Sequence, residues 1–221
     1  MATAGLYSCG QDQTNSPKET IKSEPKEIVT SPGSNEKYHT KYEYTDSIGK
    51  RLIIQNGFPK GGTHTDPNGE VYDYRVFWTR IINETDNPLE LKIDFPVDSY
   101  EYPGLPGKYY KVLVPSDTIT VDSNGLAGLK PFSDNSIHKL SSLKRTINPK
   151  ESGGFYVIIP TLYEGAQGAL RTGLSLKAQD LLYKISLIKG PPPISLISEK
   201  EINCGSINLK NLMLRELTKR L

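Results

Sequence analysis

The chain is poor in the residues that advertise chemistry. Its 221 residues hold two cysteines, three histidines and one tryptophan. Two thiols cannot make a disulfide framework, and a bridge from Cys9 to Cys204 would only clip the amino terminus back onto the body, so Cys204 is expected to be a buried structural thiol. His39, His64 and His138 are scattered, no Cys/His cluster has metal-ligand spacing, and each histidine reads as a surface or loop residue. Neither sign of charge prevails: 27 basic residues face 25 acidic ones, a net charge of +2, which leaves no electrostatic footprint for nucleic acid. No run approaches the ~20 apolar residues of a membrane-spanning helix, so attachment to a membrane would need a lipid. Catalytic and cofactor signatures are equally thin. Gly165-Ala166-Gln167-Gly168 lacks the Lys-Ser/Thr pair of a phosphate loop. No Gly-x-Ser-x-Gly elbow occurs, and Ser133, Asp134 and His138 are close only in sequence, whereas triads assemble in space. No cofactor is implied.

The amino-terminal segment is more informative. Leu6-Tyr7-Ser8 precede Cys9, and Gly10 to Lys41 follows as a polar stretch punctuated by Pro17, Pro25 and Pro32. Only Ile21, Ile28 and Val29 are strongly apolar there. Such a composition cannot bury enough surface to offset chain entropy, so residues 9–43 read as a disordered tether. Leu, a small residue and then Cys resemble the lipobox of bacterial lipoproteins, with Leu6 and Ser8 at its minus-three and minus-one positions. The resemblance, to lipoproteins of the Bacteroidota type, covers residues 6 to about 41. It implies that Cys9 is the acylated first residue of the mature protein and that residues 1–8 are the remnant of a signal peptide or a non-native leader. Met1 to Ser8 has no Lys or Arg and is shorter than a full signal peptide. The alternative is a cytosolic β-protein with a disordered tail.

Residues 44–221 read as one domain of about 180 residues, enough for a sizeable core. Leu89-Glu90-Leu91-Lys92-Ile93-Asp94-Phe95 alternates apolar and charged residues, the mark of a half-buried strand. Val71 to Ile82 is rich in β-branched and aromatic residues. The turn-forming Asn83-Glu84-Thr85-Asp86-Asn87-Pro88 between them predicts an antiparallel hairpin, with Trp78 as a core anchor. Further strands are expected at Arg51–Gln55, Tyr109–Val114, Thr118–Val121, Phe155–Ile159 and Leu181–Ile188, the last two stopped by Pro160 and Pro191. One or two helical turns are expected over Ser136–Arg145. Leu162–Gln179 reads as a glycine-rich surface loop. The tail after Asn208 fits either a weak helical stripe of Leu214, Leu217 and Leu221 or a last strand through Ile207–Leu209. These elements predict an all-β fold, an immunoglobulin-like antiparallel β-sandwich.

The candidate ligand loop is the tyrosine-rich stretch holding Tyr100, Glu101, Tyr102 and Tyr109, because tyrosine offers a flat apolar face and a hydroxyl at small entropic cost. Asp46-Ser47-Ile48 and Asp117-Thr118-Ile119 resemble the acceptor motif for O-linked glycans on exported Bacteroidota proteins, which implies attachment at Ser47 and Thr118. Together these readings favour a non-catalytic binding or assembly module of the cell envelope, membrane-bound through Cys9, with a protein or glycan ligand. The alternative is an envelope hydrolase acting on carbohydrate or peptide, with a site built around Tyr100, Glu101 and Glu164.

Overall fold

The computed structural model describes residues 28–29, 38–65, 69, 71–96, 99–101, 106–107, 109–115, 142–161, 168–190, 195–209 and 214–216. Cys9, Tyr102, Thr118, His138 and Glu164 lie outside them. Among the described residues every regular element is a strand, and all pairings are antiparallel.

The larger sheet contains β1 (Ile28–Val29), β2 (Tyr38–Thr45), β3 (Arg51–Gly57), β4 (Lys60–Thr65), β5 (Val71–Asn83), β10 (Ser152–Thr161) and β14 (Arg215–Glu216). The long β5 is its spine. The carboxyl half of β5 pairs with β3, its amino half with β4, and its other side with β10. Strands β1 and β14 both pair with β2. The smaller sheet has the order β11 (Ala169–Lys177), β12 (Asp180–Lys189), β13 (Ser195–Asn208), β6 (Leu89–Asp94), β9 (Ser142–Ile147). Strands β7 (Tyr100–Glu101) and β8 (Tyr109–Tyr110) form a small ribbon.

The two large sheets bury one core between them. Leu52, Ile54, Phe77, Ile81, Phe155, Val157 and Ile159 come from one sheet, and Leu89, Leu91, Ile93, Leu174, Tyr183, Ile185 and Ile202 from the other. The alternation read from the sequence is what builds it. Leu89, Leu91, Ile93 and Phe95 are buried, while Lys92 and Asp94 are exposed. Cys204 is a free, fully buried thiol whose burial pushes its pKa up to about 12, so it is an inert apolar side chain.

Several expectations are corrected. The folded body begins before residue 44: β2 starts at Tyr38, and Ile28–Val29, the adjacent apolar pair of the expected tether, forms β1. The predicted hairpin of β5 and β6 does not form. The two strands lie in different sheets, and the Asn83–Pro88 turn carries the chain from one layer to the other. Asn83 is the reason. Its fully buried amide donates to the carbonyls of Asn87 and Ile147, and its Oδ1 accepts from Thr85 N–H and Oγ1, a side-chain clamp that makes a corner where backbone pairing would make a hairpin. Ser142–Ile147 is a strand, so the helix expected up to Arg145 is not found there. Ala169–Lys177 is a strand too, although its glycines suggested a loop. Pro160 lies inside β10, and Tyr109–Val114 shortens to Tyr109–Tyr110 plus a single bridge from Leu113 to Ile158. Ile207 and Asn208 end β13, and the chain returns as β14 at Arg215–Glu216; Leu217 and Leu221 of the expected helical stripe lie outside the described residues.

Side chains take a large part in closing two long edges of the sandwich, those of β11 and β10. At β11 the outward backbone groups meet residues of the opposite sheet. Asn56 Oδ1 accepts Leu174 N–H at 2.8 Å, and its Nδ2 donates to Leu174 C=O at 3.1 Å. Tyr44 Oη accepts Leu176 N–H at 2.7 Å, and His39 hydrogen-bonds the Thr172 backbone. At the other side Arg145 reaches from β9 to the carbonyl of Gly154 on β10. Pro160, at the edge-facing position next after Ile158, has no N–H to leave unpaired.

His39 is therefore buried, not at the surface as its sequence context suggested. A bulge in β2 between Tyr38 and Thr40 makes it the extra residue and turns it inward. Burial first, and the nearby Arg171 charge second, lower its pKa from 6.5 to about 4. The fold thus prefers the neutral ring. Its contribution is complete above pH 6.5, where folded and unfolded chains are both unprotonated here, and is lost as pH falls toward 4, because only the unfolded chain takes up the proton. The loss amounts to about 3 kcal/mol by pH 4. Urea unfolding from pH 7.5 to 4 should show this decline, and His39→Gln should flatten it; an equally steep decline in the variant would remove His39 as its cause.

Candidate functional site

The structure splits the tyrosine loop into an inner and an outer part. Tyr100 is 5% exposed and belongs to the core. It stacks on Tyr110 with ring centroids 5.8 Å apart and meets Phe95 edge-on at 6.4 Å. Phe95 in turn meets Tyr183 edge-on at 5.3 Å. This aromatic column pins the β7–β8 ribbon to the smaller sheet, and the Lys200 ammonium lies 5.4 Å from the Tyr100 ring centroid. Tyr183 is fully buried, and burial raises its pKa. Tyr109 is the outer part, 65% exposed. Glu101 is exposed, and its carboxylate accepts the Gly107 N–H at 2.8 Å.

Strand alternation on β5 places Tyr74, Val76, Trp78 and Arg80 on the outer face of the larger sheet, opposite Phe77, Thr79 and Ile81. Trp78 is half-buried on that face and is not the core anchor expected; Phe77 fills that place. Trp78 pairs across the strands with Tyr156, and Val76 with Ile158. Val76, Leu113 and Ile158 are buried yet stand outside the central cluster; Val76 pairs with Ile158 and Ile158 with Leu113, so the three make a second, smaller apolar group. Trp78, Tyr156 and Tyr74 are half-exposed around it. Glycines make room for the rings. A Cβ on Gly57 would come within 3.1 Å of Trp78 Cε3, and one on Gly62 would lie on the Tyr74 hydroxyl and 2.9 Å from its Cζ. The rings thus lean over the neighbouring strands, where side chains would otherwise stand. Sequence reading missed this group because Tyr156 joins Tyr74 and Trp78 only through the β5–β10 register. The signal in the sequence was the glycine at 57 and the pair at 61 and 62, whose missing side chains leave room for rings from β5.

Ser47 sits exposed at the tip of the β2–β3 turn. Asp46 Oδ1 accepts the N–H groups of Ile48 and Lys50 at 3.0 and 2.8 Å, and Gly49 takes a φ of 83°, so Asp46 has a structural task there. The Asn83-Glu84-Thr85 sequon is closed, since Asn83 is fully buried. No group of three or more His, Cys, Asp or Glu able to hold a metal occurs among the described residues, and no helix there is long and apolar enough to cross a membrane.

No protein-family model, curated protein or solved structure matches the chain.

Truncation separates the two parts of the tyrosine loop. Tyr100→Ala should cost about 3–5 kcal/mol in urea unfolding, and Tyr109→Ala less than about 0.5 kcal/mol. Equal costs would contradict the division into core and surface.

Proposed function

We propose that the chain is a cell-envelope lipoprotein whose body is a non-catalytic binding or assembly module of immunoglobulin-like outline. The membrane part of this reading rests on Leu6, Ser8 and Cys9 and on the polar stretch that follows. The body supports it with two antiparallel layers over one core and a chain that crosses between them at Asn83–Pro88. Ser47, exposed in a tight turn, suits an O-linked glycan.

The observation that carries the binding role is the half-exposed set Tyr74, Trp78 and Tyr156 on the outer face of the larger sheet. Aromatic faces held on a rigid sheet bury ligand surface at little entropic cost. A glycan, with its alternating apolar and hydroxyl-bearing ring faces, fits such a surface. Tyr74 and Trp78 are four residues apart on one strand, a spacing of about 13 Å, so the ligand would be an oligomer spanning more than one ring.

Mass spectrometry of the protein from its native membrane tests the anchor: the expected mature product starts at an acylated Cys9, and an unmodified Cys9 with residues still upstream removes the membrane claim. Titration with an oligosaccharide panel tests the surface. Trp78→Ala should weaken any saturable binding at least tenfold, about 1.4 kcal/mol, in a body that still melts cooperatively. Binding unchanged in Trp78→Ala would place the ligand elsewhere.

A further inference from the structure

Where β2, the break between β3 and β4, and β11 meet at one corner of the sandwich, two polar groups converge on one aromatic ring. His39, turned inward by the bulge, is 6% exposed, and its Nε2 has no hydrogen-bond partner. Its ring lies 5.7 Å from that of Phe58, tilted by 56°. The Arg171 guanidinium stands 6.0 Å from the centroid of the same Phe58 ring. Arg171 is half-buried. Its Nη1 donates to the carbonyl of Leu170, its neighbour in the chain, at 3.0 Å, and among the described residues no carboxylate pairs with it. A partly buried guanidinium without an acid and a buried ring nitrogen without a partner are each unfavourable. Side by side they want the same complement, an oxygen-bearing anion.

We propose that this corner is an oxyanion site, in which a carboxylate or a phosphate group of a small ligand seats between Arg171 and His39 Nε2 while Phe58 gives way. The planar fork of Arg171 supplies the charge and paired donors. A proton taken from solvent onto Nε2 supplies the second donor, so anion and proton bind together. Among the described residues, the charge facing His39 is that of Arg171 on β11. Lys41 and Glu43, further along β2, point to the opposite face and pair with each other, and Phe58 brings no charge. Without an anion, burial and the Arg171 charge keep the ring neutral; a bound anion cancels the second of these causes. By linkage, the anion must then bind more tightly as the pH falls. The site is independent of the lipid anchor and of the aromatic face, and stands or fails apart from them.

Sulfate, whose charge is constant over the range, and acetate serve as separate probes at fixed ionic strength. The readouts are the His39 side-chain NMR signal and the melting temperature. The expected result is saturable binding at least ~10-fold tighter at pH 5.5 than at pH 8, lost in Arg171→Met, and kept but no longer pH-dependent in His39→Gln. Sulfate alone binding assigns a phosphate-like ligand, and acetate alone a carboxylate. If Arg171→Met does not fold, Arg171→Lys decides, with weakened binding expected. Saturation by neither anion, a His39 signal that does not move, or wild-type affinity in the Arg171 variant that folds overturns the proposal.

Discussion

The amide of Asn56 holds the two layers in register. It lies on β3 in the larger sheet and is 2% exposed. Its Nδ2 donates to Thr40 Oγ1 on β2 and to the Leu174 carbonyl on β11; its Oδ1 accepts from Thr79 Oγ1 on β5 and from Leu174 N–H. Both donors and both acceptor lone pairs are used, which is the full capacity of a carboxamide. Two of the four bonds imitate one rung of a β-ladder, with a side chain in the place of a strand. A fully satisfied buried polar group of this kind fixes one arrangement of otherwise interchangeable apolar layers, and a half-satisfied one would cost more than an apolar replacement.

Edge closure follows from the same device. A two-sheet sandwich has free long edges, and unpaired edges invite pairing with other chains. Here β11 is capped by Asn56, Tyr44 and His39 from the opposite layer, and β10 by Arg145, by the Leu113 bridge and by the missing donor of Pro160. Exposed Lys144 adds charge to the β9 edge. The edge of β2 is treated differently, being covered by main chain from β1 and β14. Ends of the sequence thus finish the sheet that its middle begins.

The sequence made individual strands legible wherever one face is apolar and the other polar, as in Leu89–Phe95 and Leu181–Ile188. It did not make sheet membership legible. Asn83–Pro88 has the residues of any turn, and whether such a turn makes a hairpin or a corner depends on Ile147, which arrives 64 residues later to accept the Asn83 amide. Strand β11 was hidden because the glycines at 165, 168 and 173 outweighed its short alternation, Leu174-Ser175-Leu176-Lys177, and the stretch read as a loop. The candidate sites suffered from the same limit. Tyr100 and Tyr109 look alike in sequence and have opposite environments. Tyr156 joins the Tyr74 and Trp78 face of β5 only through register, and the bulge at His39 reverses the alternation that would have placed it outside.

Native-state hydrogen exchange at two amides tests the closure of β11 most directly. In the wild type, Leu174 and Leu176 N–H should be protected like amides of interior strands. Asn56→Leu should speed exchange at Leu174 by at least ~10-fold relative to interior β12 amides, and Tyr44→Phe should do so at Leu176. Protection of both amides at wild-type levels in both variants would contradict the account, because it would mean that something other than those two side chains seals the edge.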